Sequence, residues 1–307
     1  MAVHWYPGHM HKAQREIREA MPNVDLIIEV LDARIPYSSE NPVITEVRGD
    51  KPCIKILNKS DLADPAITQL WLDYYNQQTN MKAVALTTQE PEQVRAILDL
   101  CRAMFPERDQ GLANIRAMIM GIPNVGKSTT INILAGRIIA KTGNEPAVTK
   151  AQQRINLKNG IVLSDTPGIL WPKVMNENSS YRLATTGAIK DTAMEYEEVA
   201  FFAADYLLKA YPELLKARYQ LDELPLSDLE LLEAIAAKRG AKRAGGRADL
   251  HKVSEILLHE IRSAAIGRVS LETPEMVEKE KVVVAQLTLE REEKLKDRPK
   301  KKRRRRN

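Results

Sequence analysis

Residues 121–128 read Gly-Ile-Pro-Asn-Val-Gly-Lys-Ser, a G-x-x-x-x-G-K-[ST] loop. Such a loop between a strand and a helix wraps a phosphate. Backbone N–H groups of Val125, Gly126, Lys127 and Ser128 converge on it at the positive end of the following helix, whose first turn continues through Thr129. Lys127 reaches the β- and γ-phosphates as a point charge, and the Ser128 hydroxyl is an oxygen ligand for Mg²⁺. A second segment, Asp165-Thr-Pro-Gly168, offers a carboxylate for Mg²⁺ and a glycine whose N–H can approach a γ-phosphate. Alone, D-x-x-G is equally a turn. A third, Asn58-Lys59-Ser60-Asp61, offers a carboxylate that can accept from N1–H and the 2-amino group of guanine. Adenine has neither donor there and would leave that carboxylate unpaired. N-K-S-D is also a good polar turn by itself. Three such segments, each following an apolar run, predict GTP in preference to ATP.

The elements that must position these residues are legible as periodicity. Apolar runs at 24–31, 53–57, 82–86, 115–120 and 161–163 read as strands. Helical stretches at 65–77, 91–104 and 127–134 lie between them. Alternation of this kind predicts a mostly parallel sheet with helices on both faces, binding ligands beyond the carboxyl ends of its strands. After about residue 172 the strand signal stops. Helices are expected at 199–209, 227–238 and 249–265, with Ser227 or Asp228 and then Asp249 as start signals. Two domains follow: an α/β domain over 1–173 and a small all-helical one over 174–274. Residues 275–307 are expected to be a charged, disordered tail.

Composition bounds the rest. The chain has 307 residues, 44% apolar and 28% charged, which suits a globular protein with a sizeable core. Two cysteines, Cys53 and Cys101, exclude a disulfide scaffold. With no apolar run of about 18 residues and no secretory leader, a cytoplasmic protein is expected. The net charge of +5 hides a seven-cation run at 300–306; without it 39 Lys and Arg face 41 acids, a net of −2. Basicity therefore resides in a tail, and such a run neutralises phosphates without reading sequence.

The order of the segments is unusual, because Asn58–Asp61 precedes Gly121. The motifs resemble those of translation-factor-like GTPases, and this order resembles the circularly permuted ones. Together with Trp5-Tyr-Pro-Gly-His-Met10, Leu31-Asp-Ala-Arg-Ile-Pro36, Gly245-Gly246 and Gly267-Arg-Val-Ser-Leu-Glu272, the chain looks like the ribosome biogenesis GTPase A (YlqF-type) family. That resemblance spans nearly all of the chain up to Thr273 and does not include the basic run.

The resemblance implies several further roles. Thr87 and Thr88 stand where the family places a guanine contact made largely through backbone. Thr149 matches a switch threonine that completes the Mg²⁺ shell, although Ala147 stands where the family more often has glycine. Asn124 matches an asparagine that ligates K⁺ beside the phosphates. Ile169 follows D-x-x-G where Ras-type enzymes carry glutamine, and it cannot orient a water, so hydrolysis without a partner is expected to be slow. His9 occupies the family's position for an implicated catalytic histidine; the other reading is a turn in which it caps or packs. The partner implied is the large ribosomal subunit and its rRNA, with no membrane and no DNA, the protein acting as a monomer that hydrolysis releases. The alternatives are an RNA-binding assembly factor that holds GTP without turning it over, and a GTPase of tRNA modification.

Overall fold

The computed structural model describes residues 9–108, 114–140, 153–157, 159–166, 176–189 and 195–296. Its centre is a six-stranded sheet of β1 (Leu26–Asp32), β2 (Cys53–Asn58), β3 (Met81–Ala85), β4 (Ile115–Met120), β5 (Gln153–Asn156) and β6 (Ile161–Asp165). Their spatial order is β3-β2-β1-β4-β6-β5, and every pairing is parallel except β5 with β6. β1 and β2 are buried along their whole length, as continuous apolar runs in a central parallel sheet must be. β5, on the edge, is short and polar, and no apolar run announced it.

Helices cover both faces. α1 (His9–Ala20) and α2 (Pro42–Arg48) were not foreseen from periodicity; α3 (Pro65–Asn76), α4 (Pro91–Ala103) and α5 (Lys127–Ala135) fall within two residues of their expected ends. The Asp64 side chain caps α3 by accepting from Ala66 and Ile67 N–H, and Pro65 opens it. Trp71 of α3 is fully buried, as expected of a core or anchor residue. The other two tryptophans, Trp5 and Trp171, lie outside the described residues.

Beyond the sheet come α6 (Glu177–Thr185), α7 (Tyr196–Ala210), α8 (Pro212–Tyr219), α9 (Asp228–Arg239) and α10 (Leu250–Arg262). Ser227 caps α9 and Asp249 caps α10, both at the expected positions. Val199, Leu207, Leu231, Ile235, Val253, Leu257 and Ile261 form a second apolar core. Leu183, Ala188, Ile189 and Leu271 pack instead into the core of the sheet.

One expectation is corrected. Residues 275–296, read from their charge as part of a disordered tail, form the helix α11 (Pro274–Lys296). Composition alone cannot see what holds it. Val277 is buried in the cluster containing Trp71 and Tyr75. Glu280 takes a forked pair of bonds from Arg182, at 2.9 and 2.6 Å, and Lys281 donates to the Tyr74 hydroxyl at 3.0 Å. The basic run at 300–306 lies outside the described residues.

Candidate nucleotide site

The three motifs meet at the carboxyl edge of the sheet. β1 is hydrogen-bonded to β2 on one side and β4 on the other, and β4 to β6, all in parallel, so the carboxyl ends of all four strands lie at one edge. The winding reverses between β1 and β4, the place where sheets of this class bind ligands.

Two glycines make the phosphate loop possible. A Cβ at Gly121 would lie 2.7 Å from the Val30 carbonyl oxygen. Gly126 has φ +93°, and a Cβ there would collide with Asn58 Nδ2. That second contact is itself informative. Asn58 Nδ2 donates to Val125 O at 2.7 Å, so the first residue of N-K-S-D is bonded directly to the phosphate loop, 67 positions away. Asn58 Oδ1 is buried with no hydrogen-bond partner among the described residues, an orphan polar atom at the place where a nucleotide is expected.

The other residues expected at the base assemble around it. Ser60 N–H donates to Leu86 O at 3.1 Å, which ties the N-K-S-D loop to the segment carrying Thr87 and Thr88. Thr87 Oγ1 accepts from Gln89 N–H, and Gln89 Nε2 donates to Asp61 Oδ2 at 3.0 Å. Lys59, at φ +60°, places Nζ 3.0 Å from Asp32 Oδ2. Asp32 also accepts Arg34 Nε and Nη2, at 2.9 and 2.7 Å. Burial pushes the Asp32 carboxyl up, but the Arg34 and Lys59 charges outweigh it and hold it well below the usual carboxylate range. Asp32, Arg34 and Gln89 are residues that motif reading did not place here. The one sequence signal was the Asp-Ala-Arg triplet directly after the first apolar run.

On the phosphate side, Lys127 Nζ is ion-paired with the Asp165 carboxylate, joining the phosphate loop to D-x-x-G. Burial pushes the Lys127 ammonium down more than Asp165 lifts it. Ser128 and Thr129 open α5. Asn124, at φ +64°, donates Nδ2 to Gly187 O at 2.9 Å. Thr149, Gly168 and Ile169 lie outside the described residues, as does the side chain of His9, which opens α1.

The donor chemistry suits a hard cation. Ser128 follows Lys127, whose ammonium is paired with Asp165, so a hydroxyl and a carboxylate are offered by the two segments that this pair joins; Mg²⁺ is commonly held by one or two such oxygens plus substrate phosphates. Among the described residues no cluster of three or more His, Cys, Asp or Glu side chains forms a separate metal site. Also among the described residues, no helix is long and apolar enough to cross a membrane.

Counted from β4, the strand order reads 6-5-4-1-3-2: the phosphate-loop strand is central, with the D-x-x-G strand on one side and the strands leading to N-K-S-D and to Thr87 and Thr88 on the other. The chain simply enters this sheet at the fourth strand. Fold and site together define a circularly permuted P-loop GTPase, an enzyme that hydrolyses GTP.

Comparison with known proteins narrows the class. The family model described as "50S ribosome-binding GTPase" matches residues 116–230. Ribosome biogenesis GTPase A of Priestia megaterium is 47% identical over 286 residues, spanning 91% of this chain and 99% of its own. That of Thermotoga maritima is 31% identical over 271 residues, 88% of this chain and 94% of its own. The GDP-bound structure of Thermotoga maritima YlqF superposes with a TM-score of 0.61 at 28% identity, covering 85% of this chain and 100% of that one. Its GNP-bound structure gives a TM-score of 0.60 at 28% identity, over 86% and 99%. The chain belongs to the ribosome biogenesis GTPase A family.

Proposed function

We propose that this protein is a GTP-driven switch that binds ribosomal RNA on the precursor of the large ribosomal subunit, assists a late step of its assembly, and leaves when GTP is hydrolysed. It acts as a cytoplasmic monomer. The observation that carries the reading is the Asn58–Val125 hydrogen bond, which ties the N-K-S-D segment to the phosphate-loop segment in a chain whose relatives are named for ribosome biogenesis.

The switch follows from the Lys127–Asp165 pair. A γ-phosphate competes with Asp165 for the Lys127 ammonium, which releases the carboxylate toward the Mg²⁺ side of the site. Ser128, Asp165 and Thr149 are the residues that would hold Mg²⁺, which supplies charge neutralisation on the phosphates. Asn124 would hold K⁺ through its Oδ1, its amide nitrogen being engaged by Gly187. Gly168 and Thr149 then order around the γ-phosphate, and hydrolysis undoes that order. Ile169 cannot position a water, so His9 is assigned that task once docking holds the N-terminal segment over the site.

Single-turnover hydrolysis with purified large subunits tests this. Turnover is expected to rise on adding particles, and to be higher in K⁺ than in Na⁺. His9→Ala is expected to lower the stimulated rate by about 10²–10⁴-fold with GTP affinity retained. An unstimulated wild-type rate would falsify the switch, and an unchanged His9→Ala rate would remove that residue from the mechanism.

The RNA-facing surface is suggested by a hairpin between α9 and α10. Lys242 bridges to Ala248, and Gly245 and Gly246, both at positive φ, turn the chain at its tip. Lys242, Arg243 and Arg247 are exposed there, beside Lys238 and Lys252. Aromatics are only 5% of the chain, so phosphate contact is favoured over base stacking. Lys242→Glu with Arg247→Glu is expected to weaken particle binding by about tenfold or more and to flatten its salt dependence by about one unit per lost phosphate contact. GTP affinity is expected to stay unchanged; particle binding and salt slope equal to wild type would exclude this face.

A further inference from the structure

Four consecutive backbone carbonyls at the end of α6 each accept a hydrogen bond from a distant side chain. Arg262 of α10 donates Nη2 to Ala184 O at 2.9 Å and Nε to Thr185 O at 3.0 Å. Arg34 donates Nη2 to Thr186 O at 3.5 Å. Asn124 donates Nδ2 to Gly187 O at 2.9 Å. The last carbonyls of a helix lack intrahelical partners and carry partial negative charge, so cationic and amide donors suit them.

What sets this turn apart is the origin of its donors. Asn124 belongs to the phosphate loop. Arg34 is clamped, through two bonds, to the Asp32 carboxylate that also holds Lys59 of the base-reading loop. Arg262 belongs to the helical bundle, and its own carbonyl accepts from Arg34 Nη1 at 3.4 Å. Gly187 has φ +78°, a conformation that L side chains rarely adopt, and a Cβ there would sit in ordinary contact with the Arg262 guanidinium, 3.4 Å from Nε. The chain then returns to the same spot. Leu271 N–H donates to Arg34 O at 2.8 Å, and Val269 N–H to Leu62 O at 3.2 Å.

We propose that the turn at 184–187 is a relay that reads nucleotide occupancy at both ends of the site, through Asn124 at the phosphates and through Asp32–Arg34 at the base, and passes it to α10 through Arg262. Arg34 and Arg262 are positioning residues in this scheme, and neither touches the nucleotide. The inference rests on the reading of the site as a GTP site. When nucleotide draws on Lys59 and Asn124, the donors on the Thr186 and Gly187 carbonyls shift, and the turn re-pairs by moving against the Arg262 guanidinium. Two packed arrangements of one turn are enough to couple sites in this way.

Amide hydrogen exchange on the full chain, free and saturated with GDP or a non-hydrolysable GTP analogue, tests the relay. In the wild-type protein, guanine nucleotide is expected to change exchange at 186–189 and in the last turn of α10 by about tenfold, alongside protection of the phosphate loop. Arg262→Gln is expected to keep GDP affinity within about threefold and keep phosphate-loop protection, while the α10 response falls below about twofold. A purely structural role would lower the melting temperature but leave the nucleotide-dependent difference in α10 intact. Arg262 is half-buried and lies outside the nucleotide site, so its variant carries the test by itself. A full α10 response in the Arg262 variant, or wild-type GDP binding with no response there, overturns the relay alone. A wild-type chain that binds no guanine nucleotide overturns the site reading with it.

Discussion

Asp61→Asn is expected to lower GTP affinity by about 10²–10⁴-fold and to raise that for xanthosine triphosphate. The carboxylate is half-buried, with Gln89 Nε2 3.0 Å from Oδ2, and its loop is fixed by Ser60 N–H on Leu86 O. It is therefore held as a rigid acceptor for the two donors on the guanine edge. Hydrogen bonds to a charged group contribute about 1.5–3 kcal/mol each, so two of them account for a loss of that size. The amide brings a donor where guanine also has one. Xanthine carries an oxygen in place of the 2-amino group and restores the match. Competition among GTP, ATP and xanthosine triphosphate for the wild-type and variant proteins reads this out directly. Unchanged guanine preference in the variant would show that Asp61 does not face the base.

Lys127→Met is expected to have two separable effects. In the nucleotide-free protein it leaves Asp165, 1% exposed, without its cation. Breaking a buried pair from one side costs about 3–5 kcal/mol, and the melting temperature is expected to fall accordingly. In the GTP-bound protein the variant removes the point charge on the β- and γ-phosphates, and single-turnover hydrolysis is expected to fall by about 10²–10³-fold or more. Adding Asp165→Asn is expected to restore much of the stability, because no unpaired charge remains, and none of the turnover. A double variant as unstable as the single one would mean that the ion pair does not dominate the apo site.

Much of this site was legible because its demands are local. The phosphate loop needs glycine at Gly121 and Gly126 for close approach and positive φ, and a lysine and hydroxyl at the helix start. These are constraints on neighbouring residues and leave a pattern. The caps at Ser227 and Asp249 were legible for the same reason, since a cap bonds two or three residues ahead. β5 was not, because four mostly polar residues on a sheet edge carry no period that separates strand from loop. Nor was α11, whose highly charged surface reads as solvated until Arg182 and Tyr74 are placed beside it.

By itself, then, the sequence marked the segments expected to meet phosphate, metal and guanine, and the runs that make the strands beneath them. Tertiary structure decided their partners. Glu29 and Lys55 look like flaws in two apolar runs; parallel register sets them opposite each other, 2.8 Å apart, as a buried ion pair. Asp32 and Arg34 carry no motif meaning until Lys59 and the end of α6 come to meet them. The reason is physical. Backbone conformation depends on the nearest few residues, whereas a charge or an amide can pair with any complementary group the chain brings within about 3 Å, and only the packed sheet and bundle select which.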